Sequence, residues 1–170
     1  MEEIIWAPWR MEFIEGKQPG EEGCVFCNAA SAPTGEWENR LILDRSESVL
    51  VIMNRFPYVN AHLLVMPLLH VSSPEDLPEA VYTELSLVLR RCLSALQSTM
   101  NPAGFNMGMN LGRAAGAGIE DHIHWHIVPR WNGDNNFMPV IGATRCMPQH
   151  LMETYNQLRK TFAGICTLKP

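Results

Sequence analysis

Apolar residues first enter the chain as short unbroken runs. Leu41, Ile42 and Leu43 form one, and Val49, Leu50, Val51, Ile52 and Met53 form the next, after a polar connection over 44–48. Runs of this length and composition predict two strands joined by a tight turn. Residues 54–60 contain Pro57 and predict a loop, and 62–66 predict a third strand that Pro67 ends. The period then changes. Leu77, Val81, Leu85, Val88, Leu89, Leu93 and Leu96 recur at helical spacing, so 75–99 predicts a long amphipathic helix, with Pro74 and Pro78 near its start and Asn101 and Pro102 beyond its end. Further on, 105–111 predicts a fourth strand, 112–118 a loop of small residues, 119–130 a fifth strand closed by Pro129, and 148–162 a last helix. Strands, long helix, strands, helix is the order of an α+β fold with an antiparallel sheet, not of alternating βαβ units.

Upstream of these elements the pattern weakens. Residues 15–39 are rich in Gly, Pro, Glu, Ser and Ala and predict no regular element. Residues 1–39 are therefore expected to be an irregular extension, holding Cys24 and Cys27, of a single domain over 1–170. A length of 170 residues suits one domain with one core. Hydrophobic residues at 46% and charged residues at 18% are an ordinary globular balance. No apolar run nears the roughly 20 residues of a membrane span, and the N-terminus lacks the basic start and apolar stretch of a secretory leader. The expectation is a cytoplasmic protein away from membranes. A net charge of −5 speaks against a nucleic-acid surface but leaves room for a small anion in a local pocket.

Chemistry concentrates in one stretch. Histidine occurs six times, and His122, His124 and His126 alternate within five residues. On a strand, alternate side chains share a face, so these imidazoles look one way while Ile123, Trp125 and Ile127 look the other and can pack on the long helix. Neighbouring imidazoles of the row would lie about 6.5–7 Å apart along the strand, close enough to grip one phosphate group. A neutral ring can attack phosphorus, and a neighbouring ring can stabilise the negative oxygens. Asn110-Leu111-Gly112 and then Gly116, Ala117 and Gly118 lead into the row; small residues there let backbone N–H groups approach an oxyanion. Five cysteines do not suggest a disulfide framework, and only Cys24 and Cys27 are close in sequence. Their spacing is that of half a zinc site, which needs two further ligands.

The residues from His122 to Arg130 resemble the signature of the histidine-triad (HIT) superfamily, His-φ-His-φ-His-φ-φ with φ apolar. The segment from Asn54 to Pro67 is similar to the family's Asn or Asp, Pro-containing loop, Gly-His and apolar strand, with Ala61 where Gly is usual. Cys24-Val25-Phe26-Cys27 looks like the Cys-x-x-Cys of many bacterial members. Trp6 to Met11 and Pro129 to Phe137 resemble the branch of dinucleoside polyphosphate hydrolases and phosphorylases. The resemblance implies a five-stranded HIT-like sheet with one long and one C-terminal helix, and an edge-to-edge homodimer. It implies that His124 forms a nucleotidyl-histidine intermediate by attack on an α-phosphorus. His126 and His62 would contact phosphate oxygens, Asn54 would bond the ribose, and Asn110 would sit beside the phosphate site. By resemblance to zinc-containing members, His70 and His122 complete the site begun by Cys24 and Cys27, giving a structural Zn2+. Magnesium would arrive with the nucleotide substrate. Many members carry Gln shortly before the triad; this chain has Gly116, Ala117 and Gly118 instead, which leaves room for inorganic phosphate, so the acceptor is expected to be water or phosphate.

Other readings use the same residues. A nucleoside phosphoramidase would need no change in the row, and a nucleotide-binding protein without turnover would leave His124 idle. A catalytic zinc held by His122, His124 and His126 fits poorly, because the row spans about 13 Å on a strand, too far for ligands at about 2 Å. Trp6, Trp9, Trp37 and Trp131 offer rings for a base or for the core. Arg130 has two readings, phosphate steering or a solvated strand end, and His150 reads as a residue near a helix cap.

Overall fold

The computed structural model describes residues 22–134 and 147–165. Trp6, Trp9, Cys146 and Cys166, together with the segments 6–11 and 135–137 used in the resemblance, lie outside the described residues. The sheet is built from β1 (Ile42–Arg45), β2 (Val49–Met53), β3 (Leu63–Pro67), β4 (Gly104–Met109) and β5 (Trp125–Arg130). Its order is β1-β2-β3-β5-β4, and every neighbouring pair is antiparallel. Three α-helices accompany it among the described residues: α1 (Val25–Ser31), α2 (Glu79–Met100) and α3 (Leu151–Ile165). This is the expected α+β class. No helix among the described residues is long and apolar enough to cross a membrane.

Both faces of the sheet are covered, and β2 and β3 are buried along their whole length. Their unbroken apolar runs follow from this, since a strand solvated on one face would alternate. On one face Val49, Val51, Met53, Leu63, Val65, Ile123, Trp125 and Ile127 pack with Leu85, Val88, Leu89 and Leu96 of α2 and Tyr155, Leu158 and Phe162 of α3. On the other face Leu50, Ile52, Leu64 and Met66 pack with Phe26, Ala29 and Ala30 of α1. The segment around the cysteines, expected to be irregular, thus contains a short helix. Phe26, Ala29 and Ala30 lie at i, i+3 and i+4, one face of a helix turn, and the second side of the sheet supplies the surface that orders them.

Element ends shift for physical reasons. The long helix starts at Glu79, because Pro74–Asp76 forms a separate 3-10 turn capped by Ser73 and Pro78 stands at the N-cap. It ends at Asn101, which takes a left-handed φ of 45°. The fifth strand begins at Trp125, not at 119. Pro67 has no N–H to offer, its carbonyl accepts from the His122 imidazole, and Ile123 N–H donates to Val71 O instead, so β3 and the triad segment part company before His124. At the far edge, α3 covers β1: Tyr155 Oη donates to Ile42 O at 3.1 Å and Arg159 donates to Leu43 O at 3.0 Å.

Candidate active site and metal cluster

The alternation holds even where the strand does not. Ile123, Trp125 and Ile127 enter the α2 core, while Phe26 of α1 lies against His122 and His124 with ring centroids 5.4 and 4.9 Å away. Three of the row's imidazoles, or their partners, are deeply buried: His62 is 0% exposed, His122 1% and His124 6%. His62 joins the row from β3. Leu64 pairs with His126 across β3 and β5, which makes His62 the diagonal neighbour of His126 on the same face. Its Nε2 lies 3.0 Å from His126 Nδ1.

The hydrogen bonds assign every tautomer in this group. Tyr58 N–H donates to His62 Nδ1 at 3.2 Å, and the Asn54 Nδ2 amide lies 3.2 Å from the same nitrogen. His62 therefore carries its proton on Nε2 and donates it to His126 Nδ1. His126 in turn holds its proton on Nε2, a buried nitrogen with no hydrogen-bond partner among the described residues. His124 donates Nδ1–H to His122 O at 2.9 Å, which leaves its Nε2 with a free lone pair. His122 donates Nε2–H to Pro67 O at 2.9 Å and keeps the lone pair on Nδ1. Burial favours the neutral rings throughout. It drives His62 down to about 3, with His126 and His124 adding to the effect. It also lowers His126, helped by His124, and lowers His124 against the opposing pull of the His122 carbonyl. The result is a nucleophilic lone pair and a hydrogen-bond donor side by side, with His124 and His126 centroids 5.0 Å apart. A donor buried without an acceptor is costly unless an anion arrives to receive it.

Cys24, Cys27, His70 and His122 form a second cluster, their ligand atoms all within 4.8 Å of one another. Cys24 Sγ is 3.4 Å and Cys27 Sγ 3.5 Å from His122 Nδ1, and Cys27 Sγ is 3.3 Å from His70 Nδ1. Zinc bonds of about 2.3 Å to sulfur and about 2.0–2.1 Å to nitrogen, set tetrahedrally, put S and N about 3.5 Å apart. Three of the sulfur–nitrogen edges thus match a zinc tetrahedron, and two thiols with two imidazoles match that ion's softness. Burial and the facing Cys24 push the Cys27 thiol up; a bound cation would reverse this by stabilising the thiolate. The His122 Nε2–H bond to Pro67 O orients the ring as a ligand needs. The Cys pair opens α1 with Cys24 as its N-cap, outside any βαβ unit.

The loop residues are arranged less simply. Asn54 accepts Phe56 N–H at 3.0 Å and faces His62, so it supports the site from behind. Asn110 Nδ2 donates to Gly116 O at 3.4 Å and bridges the loop. Gly116 has φ +88°, a conformation that favours glycine. The Gly116 and Ala117 N–H groups donate to Arg113 O and Gly112 O at 2.9 and 3.3 Å. These two amides, expected to face an oxyanion, are thus engaged within the loop, because 113–115 closes into a 3-10 turn. Arg130 binds Asp134 through two contacts of 2.6 and 2.9 Å and also reaches Asn106, so its guanidinium is engaged at the strand end. Trp131 Nε1–H donates to Met100 O, and Trp37 lies under the Arg159 guanidinium. His150 Nδ1 accepts Met152 N–H at the start of α3, a partner that the sequence did not suggest. Sequence reasoning missed Phe26 and Tyr58. The Tyr58 ring lies over His62 at 4.7 Å and stacks at 16° on His126 at 5.9 Å. The only sequence signal for them was an aromatic residue next to each motif.

Comparison with known proteins meets this geometry. A family model described as HIT domain matches residues 35–133. The chain belongs to the HIT family. Among HIT relatives, it is 32% identical over 163 residues to a protein called AP-4-A phosphorylase in Mycobacterium tuberculosis (strain ATCC 25618 / H37Rv), covering 94% of this chain and 84% of the relative. A Zn-bound histidine triad family protein from Mycobacterium smegmatis superposes with a TM-score of 0.66 at 27% identity, covering 86% of this chain and 98% of the other. A hypothetical histidine triad nucleotide-binding protein from Sulfolobus tokodaii strain7 gives 0.61 at 25% identity, covering 83% and 90%.

Proposed function

We propose that this HIT protein is a nucleotidyl-transferring enzyme that cleaves dinucleoside polyphosphates, with inorganic phosphate as the preferred acceptor. The observation that carries the reading is the tautomer pattern: a free His124 Nε2 lone pair beside a buried, unanswered His126 Nε2–H. His124 Nε2 attacks the α-phosphorus of diadenosine tetraphosphate, forming a P–N bond as the P–O bond to the leaving ATP breaks. His126 donates to a non-bridging oxygen, where charge accumulates, and His62 holds His126 in that tautomer. In the second step a phosphate oxygen attacks the same phosphorus. The P–N bond breaks, the electron pair returns to His124, and ADP leaves. The acceptor preference rests on the likeness to a protein called AP-4-A phosphorylase and on a loop, Gly116 to Gly118, with no Gln to engage a water.

Cys24, Cys27, His70 and His122 would hold Zn2+ as a structural ion, all four positions coming from protein. Bound there, zinc would tie α1 to the end of β3 and the start of the triad. Two copies would pair through β4, an edge strand whose Met107 is 52% exposed. Incubation with diadenosine tetraphosphate, with and without phosphate and with His124→Ala as control, tests the enzyme reading. ADP with ATP only in the presence of phosphate is the expected outcome. AMP with ATP in water alone makes it a hydrolase. Equal turnover by His124→Ala, or none by either protein, removes the assignment and favours phosphoramidate substrates or binding without turnover.

A further inference from the structure

The turn that delivers His62 contains an anomaly. Ala61, directly before it, has φ +57° while its side chain is only 2% exposed and packed in the α2 core. An L-residue in the left-handed region is disfavoured roughly tenfold. The methyl group has a packing reason to be there, but the backbone must be held. The neighbouring residue supplies the hold. Asn60, 9% exposed, donates from Nδ2 to Gln149 Oε1 at 3.2 Å, and Thr154 Oγ1 lies 2.9 Å from both Asn60 Oδ1 and Gln149 Oε1. Thr154 is 0% exposed, on α3, a helix that packs on the face of the sheet opposite the histidines. A fully buried hydroxyl that shares its one proton between two amide oxygens ties Asn60 and Gln149 to α3, directly beside the left-handed residue of this loop. Both groups that set the His62 tautomer, Tyr58 N–H and the Asn54 amide, belong to the loop that Ala61 closes.

We propose that Asn60, Thr154 and Gln149 are a positioning clamp: they hold the left-handed Ala61 turn so that His62 presents its Nε2–H to His126. The clamp reaches the catalytic row from the far side of the sheet, through the helix packed there. The catalytic part of the inference rests on the function proposed above; the structural part does not.

The full chain, labelled with nitrogen-15 histidine, supplies the test. In the unmodified protein His62 shows the Nε2–H tautomer alone. Thr154→Val moves the His62 nitrogen signals toward a mixed tautomer and lowers kcat on diadenosine tetraphosphate about tenfold, with KM changed less than about twofold. Thr154→Ser, which keeps the hydroxyl, restores both. Adding Ala61→Gly to Thr154→Val also restores both, because glycine holds the turn without a clamp. His62 signals and kcat unchanged in Thr154→Val, or no recovery on adding Ala61→Gly, overturns the proposal. If Thr154→Val fails to fold, Gln149→Met at a half-exposed position gives the same shift at smaller size, and no shift there overturns it equally. If the unmodified protein turns over no dinucleotide, the functional reading fails, and the nitrogen spectra still decide the clamp.

Discussion

His122 and His124 are two residues apart, face the same way and are both buried, yet the structure prepares them for opposite tasks. His122 gives its Nε2 proton to Pro67 O and turns its Nδ1 lone pair toward two thiols. His124 gives its Nδ1 proton to His122 O and keeps its lone pair on Nε2, with the His126 ring 5.0 Å away between centroids. Which backbone carbonyl a ring meets decides which nitrogen is free, and the free nitrogen decides whether the residue is suited to a metal or to phosphorus. The two residues are also joined, since the carbonyl that fixes His124 belongs to His122 and Phe26 packs on both rings.

The sharpest way to break the comparison is to remove each ring in turn. His124→Ala is expected to cost at least about a thousandfold in turnover while folding and metal content stay near normal. His122→Ala should do the reverse first, losing bound metal and thermal stability, with activity falling as a consequence. Metal analysis, a melting curve and a product assay on both variants separate the two patterns; matching losses in both would mean the two rings have no separate tasks.

The next effect is that of metal removal. An ion bound only to the folded state at a hundred- to a thousandfold excess over its Kd stabilises by about 3–4 kcal/mol. Chelation should therefore lower the melting temperature by roughly 6–16 °C for a chain of this size, and Cys27→Ser should remove most of that response. A melting curve indifferent to chelator would leave the cluster as thiols and imidazoles without a metal.

The smallest expected effect per step is that of pH. His62 titrates at about 3 when folded and near 6.5 when unfolded. Between those values the unfolded state binds the extra proton, so stability falls as pH falls through that window, by about 1.4 kcal/mol per pH unit for this one ring. Urea denaturation from pH 7 to 5 should show this slope, and His62→Asn should flatten it by about one proton's worth. An identical slope in the variant would mean that the His62 ring is not held neutral.

The histidine row was legible because its period matched a strand and its other face, Ile123, Trp125 and Ile127, was apolar. The unbroken runs of β2 and β3 also carried a hint that something must cover the second face. That α1 does so was hard to see: seven residues are too few to show a helical period, and Phe26 looks like any residue between two cysteines. The ends of the fifth strand and of the long helix misread for the same kind of reason. They depend on where Pro67 O and Ile123 N–H find partners, and on a turn at Pro74–Asp76, not on hydrophobic pattern.

Residue types and their spacing determined, by themselves, the class of fold, the shared face of His122, His124 and His126, and the pairing of two thiols. Those follow from backbone geometry that every strand and turn obeys. Only the tertiary structure decided which imidazole nitrogen carries each proton, that His62 sits 3.0 Å from His126, and that His70 reaches Cys27 from 43 residues away. It also decided that Thr154, on the opposite side of the sheet, meets Asn60. These depend on contacts between segments distant along the chain, and a hydrogen bond exists only where packing brings donor and acceptor within about 3 Å.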